Sequence, residues 1–189
     1  MRDFSVGHLP PREALVKHLK DHALQTGSFR LRSGVTSSWY VDARRTTFDG
    51  RGAVLVGWCL LEVLDPTVRA LGGMTMGADP MAVAAALLGS LEGRELRAFS
   101  IRKEEKVHGA GGRVVGPVEA GDPVAVLEDT TTTGGALLEA IGVAREAGLD
   151  VLQAVALVDR SGGEVTELLA LQGIPYLALL TPDELGVLP

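Results

Sequence analysis

The chain has 189 residues, 46% of them hydrophobic and only 4% aromatic, with a formal net charge of −6 at pH 7. That is enough chain for one sizeable core packed by Ala, Val and Leu, and the acidic balance excludes a general nucleic-acid binder, which needs a basic surface to release counterions. A single cysteine, Cys59, excludes an intrachain disulfide; with no hydrophobic leader and apolar runs as short as 81–88, no membrane segment and a cytoplasmic location are expected.

Pro10-Pro11 is placed to open a first helix, with Leu15, Leu19 and Ala23 on one stripe and Gly27 ending it. His18 and His22 stand at i, i+4, but no third ligand accompanies them, and a partly exposed helix face is the expectation. Two β-rich pieces, 29–34 and 37–42, flank a Ser-Gly-Val-Thr turn and predict a hairpin outside the main fold. Residues 50–64 read as an apolar helix stopped by Asp65-Pro66. A short strand at 68–71 leads into a Gly72-Gly73 loop able to cradle an anion, and Asp79 as N-cap with Pro80 behind it predicts a helix over 81–89.

After a strand at 96–101 comes Arg102-Lys103-Glu-Glu-Lys106-Val-His108-Gly109-Ala-Gly111-Gly112. An acidic chain has gathered three cations, a histidine and three glycines into eleven residues, a combination attractive to a polyphosphate. Val124 to Leu127 is a short apolar run, as in a strand buried on both faces of a parallel sheet. It meets Glu128-Asp129, then Thr130, Thr131, Thr132, Thr133, Gly134, Gly135 and Ala136, where helical spacing begins and continues to a cap at Gly148. Strand, loop and helix in this order put the loop at the carboxyl edge of a sheet, where open α/β folds hold ligands. Free N–H groups at a helix start, with threonine hydroxyls beside them, suit a phosphate. The two acids suit sugar hydroxyls or a metal, so a sugar phosphate satisfies the whole loop. A further buried strand at 151–158 ends in Asp159-Arg160, followed by a helix at 164–171, a strand at 176–180 and a turn from Thr181-Pro182.

Glu-Asp-x-x-x-Thr-Gly-Gly-Ala after a buried strand resembles the phosphoribosyl pyrophosphate (PRPP) motif of type I phosphoribosyltransferases, and neither a Walker-type Gly-Lys-Ser/Thr nor a strand followed by G-x-G-x-x-G competes with it. Arg-Lys-x-x-Lys-x-His-Gly resembles the flexible loop of orotate phosphoribosyltransferases within that group, and Leu31-Arg32-Ser33-Gly34 followed by aromatics resembles their N-terminal segment. The resemblance covers nearly the whole chain. It implies an α/β fold with a parallel sheet core flanked by helices, core at about 50–165 and a small hood from 1–49 plus 166–189, all in a single domain. It implies transfer of ribose 5-phosphate from PRPP to orotate, with Mg²⁺ arriving on PRPP near Asp129 and no direct metal ligand assigned.

By the same resemblance, Arg102, Lys103, Lys106 and His108 neutralise the leaving pyrophosphate, and Lys106, His108 and Asp129 are the catalytic candidates. Glu128 and Asp129 hold the ribose, Thr130 to Ala136 hold the 5′-phosphate, and Arg32, Tyr40, Thr132 and Arg160 face orotate. Trp39-Tyr40-Val41 and Met76-Gly77 depart from the family's usual aromatic pair and basic dipeptide. A homodimer is implied, with the 102–112 loop acting in trans. The alternatives are a PRPP-dependent transferase for another base, or a PRPP-sensing regulator built on the same fold.

Overall fold

The structure, a computed structural model, describes residues 10–30, 36–105 and 112–187. Its centre is a six-stranded sheet of β3 (Ala70–Met74), β4 (Arg97–Ile101), β5 (Val114–Val115), β6 (Pro123–Thr131), β7 (Asp150–Asp159) and β8 (Tyr176–Leu180), in the order β5-β4-β3-β6-β7-β8. All neighbours are parallel except β5, which returns antiparallel on β4. The crossovers are α4 (Ala78–Leu91), α5 (Gly135–Glu146) and α6 (Glu164–Ala170), as parallel pairing requires. This is the α/β architecture expected from the sequence.

β6 shows why the apolar run is continuous. Ala125 and Leu127 belong to the core shared with α4 and with α3 (Gly50–Val63), whereas Val124 and Val126 point into the core under α5 and α6. Both faces are covered, so both parities must be apolar. Leu71, Leu127 and Met81 are fully buried on one side, Leu137 and Leu169 on the other, and each such side chain contributes about 1.5–3 kcal/mol of burial.

Outside the sheet, α1 (Pro11–His22) packs on α3 and reaches α7 (Pro182–Leu185), where Arg12 pairs with Glu184 and donates to the Leu179 carbonyl at 2.9 Å. β1 (Leu24–Arg30) and β2 (Thr36–Val41) form an antiparallel hairpin, and α2 (Arg44–Thr47) connects it to α3. The segment from 166 onward, expected with the hood, contributes β8 to the sheet. No helix among the described residues is long and apolar enough to cross a membrane.

Several element boundaries differ from the sequence expectation, each for a physical reason. The first helix stops at His22, not Gly27, because Leu24, Gln25 and Thr26 pair with Val41, Tyr40 and Trp39; strand pairing outweighs weak helical propensity there. Gly27 lies inside β1 at an irregularity in the register. His18 is buried, its Nδ1 3.2 Å from Thr46 Oγ1 and its Nε2 3.1 Å from Asp49 Oδ1, so it staples α1 to the start of α3. Gly72 and Gly73 are strand residues, not an anion cradle: a Cβ on either falls within 2.0–2.1 Å of a carbonyl oxygen on β4 or β6. The fourth helix starts at Ala78, which puts Asp79 and Pro80 in its first turn; Asp79 accepts from Thr75 Oγ1 at 2.6 Å instead of capping.

Candidate active site

β6 runs past its apolar stretch to Thr131, so Glu128 and Asp129 stand on the strand itself, Glu128 in register with Ala156 of β7. Their half-buried carboxyls line a cleft of about 620 Å³ with Arg44, Thr75, Met76, Gly77, Lys103 and the α5 residues Ala136 and Glu139. Glu128 Oε2 is buried with no hydrogen-bond partner among the described residues. Burial first, and the Asp129 charge second, push the Glu128 carboxyl well above the ordinary carboxylate range; burial also raises Asp129, against the pull of Arg44. Gly77 lies against Asp129: a Cβ there meets all three carboxyl atoms at 2.8–2.9 Å. Two adjacent, desolvated acids of raised pKa form a receptor for hydroxyl donors or a cation.

Beyond Thr131 the chain turns through Thr132 and Thr133, both exposed, to Gly134 at φ +76°, the N-cap of α5. That left-handed conformation favours glycine, and a Cβ would also press on Val165 and Leu168 at 3.1–3.3 Å. Gly134 makes no side-chain cap, and its carbonyl accepts from Leu138. The N–H groups of the first turn, Gly135 to Leu137, are therefore left to an outside acceptor. Thr131 differs from its neighbours. It is 2% exposed, and its hydroxyl donates to Asp159 Oδ1 at 2.9 Å and lies 2.8 Å from the Tyr176 hydroxyl. Its side chain ties β6 to β7 and β8; it does not face the phosphate cradle.

Arg160 follows β7 directly, its N–H donating to the Thr131 carbonyl at 2.9 Å. The guanidinium lies over the Trp39 ring, 4.1 Å from the centroid, and its Nε is buried with no hydrogen-bond partner among the described residues. Burial lowers its pKa while Tyr40 supports its charge. Trp39 is thus a platform for Arg160, 3% exposed and not offered to a planar ligand. Tyr40 is half-buried and tilts against Phe29 at 5.8 Å between ring centroids, while Val41 is buried.

The cationic loop leaves β4 at Arg102 and returns at Arg113. Arg102 N–H donates to the Arg113 carbonyl at 2.9 Å, and Arg113 Nε donates to the Arg102 carbonyl at 2.8 Å while its Nη2 pairs with Glu139 of α5. This clamp fixes the neck of the loop beside the cleft, and Lys103 lines the cleft.

No family model matches the chain. It is 45% identical over 177 residues to the orotate phosphoribosyltransferase of Streptomyces avermitilis, spanning 93% of this chain and 97% of that one. The chain belongs to the orotate phosphoribosyltransferase family. The solved orotate phosphoribosyltransferase of Mycobacterium tuberculosis in complex with Fe(III) dicitrate matches with a TM-score of 0.82 at 33% identity, covering 94% of this chain and 100% of that one. The complex of the same enzyme with PRPP gives 0.77 at 30% identity, over 94% and 100%.

Of the residues that the orotate phosphoribosyltransferase motifs single out, the structure brings Glu128, Asp129, the Thr132–Ala136 turn and Arg160 to one sheet edge, with Lys103 at the cleft. Arg32, Lys106 and His108 lie outside the described residues. Arg44 was not found by sequence reasoning. Nothing in its spacing marks it; its place at the cleft follows from the packing of α2 on α1 and α3.

Proposed function

We propose that the chain transfers the ribose 5-phosphate of PRPP to orotate, giving orotidine 5′-monophosphate and pyrophosphate on the route to UMP. The observation that carries this is the meeting, at one sheet edge, of two adjacent half-buried acids, an uncapped helix start and a desolvated arginine. In the reaction the bond from ribose C1 to the pyrophosphate oxygen breaks, C1 bonds the N1 nitrogen of orotate, and the N1 proton leaves to the departing pyrophosphate or to solvent. The positive charge that develops on the sugar, and the negative charge on the leaving group, set the tasks for the protein.

Glu128 and Asp129 accept from the ribose hydroxyls. The Thr132–Ala136 turn holds the 5′-phosphate by backbone N–H groups and the Thr132 and Thr133 hydroxyls. Arg160, with Thr132, meets the orotate carboxylate as a planar fork, and Arg32 and Tyr40 cover the base. Arg102, Lys103, Lys106 and His108 neutralise the pyrophosphate. Mg²⁺ fits here because Glu128 and Asp129 put two adjacent acids at the cleft, as suits an ion held mostly by phosphate oxygens and water. When bound, it supplies charge neutralisation to the diphosphate.

We further propose a single-domain, cytoplasmic enzyme that works as a homodimer, the 102–112 loop serving the partner's site. Phe48, Val83 and Leu87, each about 60% exposed, line an apolar groove between α2, α3 and α4, a surface suited to a second copy. Incubation with PRPP, Mg²⁺ and a panel of bases tests the activity. Consumption of orotate alone is expected; consumption of a different base, or of none, overturns the reading.

A further inference from the structure

We propose that Arg44 is a substrate-binding residue on the fixed wall of the cleft, and that its guanidinium meets the diphosphate of PRPP. The inference rests on the transferase reading above and adds to it a residue that the motifs do not contain.

Arg44 opens α2, a single turn held from both sides. Thr46 and Thr47 are buried, the Thr46 hydroxyl lies 3.2 Å from His18, and the Phe48 N–H donates to the Arg44 carbonyl at 2.9 Å. The backbone from which Arg44 projects is therefore part of the packed core. Its side chain is half-exposed, and Nε donates to Asp42 at 2.9 Å. That bond fixes the plane of the guanidinium and leaves both Nη groups without a protein partner among the described residues. A fixed guanidinium edge is the geometry that grips a phosphate bidentately.

The cleft needs such a group. Glu128, Asp129 and Glu139 line it, and against them stand only Arg44 and Lys103 among the described cations at its walls. A diphosphate entering between carboxylates is repelled unless cations meet it. Lys103 belongs to the exposed segment that follows β4. The opposite wall, Thr75 to Gly77, carries no charge, and Gly77 packs too closely on Asp129 to hold a side chain without displacing it. Arg44 and Asp129 already attract one another across the cleft. The same arginine thus stands beside the ribose-binding acid, where the diphosphate of a bound sugar has to lie.

The test compares wild type with Arg44→Ala, Arg44→Lys and Arg45→Ala, the last an exposed neighbour outside the cleft. Steady-state kinetics give separate KM values for PRPP and orotate, and calorimetry measures magnesium pyrophosphate binding to the whole protein. Arg44→Ala is expected to raise the PRPP KM and weaken pyrophosphate binding by about tenfold or more, with the orotate KM unchanged within about twofold. Arg44→Lys should recover only part of the loss, and Arg45→Ala should match wild type. Arg44→Ala with wild-type pyrophosphate affinity overturns the proposal. So does an equal rise in both KM values with a lowered melting temperature, which makes Arg44 a brace for Asp42 and the hairpin. A wild-type protein that binds pyrophosphate but makes no nucleotide overturns the transferase reading and leaves the Arg44 titration readable.

Discussion

Glu128 shows at the scale of one residue how a site is held against its own stability. Its carboxyl is raised by burial and by Asp129, so the folded protein retains a proton that the unfolded chain has already released. The sign follows: with a raised folded pKa, stability declines as pH rises above the ordinary carboxyl range, and the full penalty is present once the folded group ionises. Glu128→Gln removes that titration. Its melting temperature should gain on wild type progressively from about pH 5 to about pH 8, while turnover falls if Glu128 accepts from the ribose as proposed. Parallel melting curves across that range would take the buried proton out of the account. Arg160 makes the complementary case for specificity. Arg160→Ala should raise the orotate KM far more than the PRPP KM, since truncating one side of a desolvated charge pair costs roughly 2–5 kcal/mol. Equal changes in the two constants would make Arg160 structural.

At the scale of elements, β3 sets how closely the sheet can assemble. Gly73 leaves no space for a methyl group, with the Leu127 carbonyl oxygen 2.1 Å from where a Cβ would sit and the Ala78 Cβ at 2.9 Å. Gly73→Ala must separate β3 from β6, and a loss of about 1–3 kcal/mol is expected in urea melts with an unchanged m-value; an unshifted midpoint would show that the strands yield freely. This glycine pair also marks where sequence reading fails. Gly72-Gly73 reads as a loop because glycine is poor in strands, and only the pressing of β4 and β6 on either side explains it. The buried strands β6, β7 and β8 and the helix from Gly135 were legible, since apolar continuity and helical spacing survive in one dimension. The end of α1 was not, because the competing partner for Leu24 is Val41, supplied by a segment farther along. The two-residue β5 carries too little pattern to see, and Thr131 looks like its threonine neighbours until Asp159 and Tyr176 surround its hydroxyl.

For the whole molecule, the clamp between Arg102, Arg113 and Glu139 anchors both ends of the cationic loop at the sheet edge, and the proposed dimer decides whose cleft its cations serve. Mixing separates the cases. Lys106→Ala and Asp129→Asn subunits, each inactive alone, are unfolded and refolded together. If the loop works across the dimer, one site of each heterodimer receives an intact loop and an intact acid, and activity returns toward a quarter of wild type for random pairing. If the loop works within its own chain, every heterodimer site carries a defect and the mixture stays inactive. A monomer at working concentration would also end the proposal.

The stacking of Arg160 on Trp39 has a thermodynamic consequence for selectivity. The arginine loses part of its hydration when the hairpin docks on the end of β7, long before any ligand arrives, and its Nε remains without a hydrogen-bond partner among the described residues. The cost of stripping water from the cation is thus met in folding, and an incoming carboxylate finds a receptor with little entropy left to lose. A base without a carboxylate offers this cation no compensating charge. If Arg160 meets the orotate carboxylate as proposed, discrimination comes less from what orotate gains than from the uncompensated cation that any other base leaves behind.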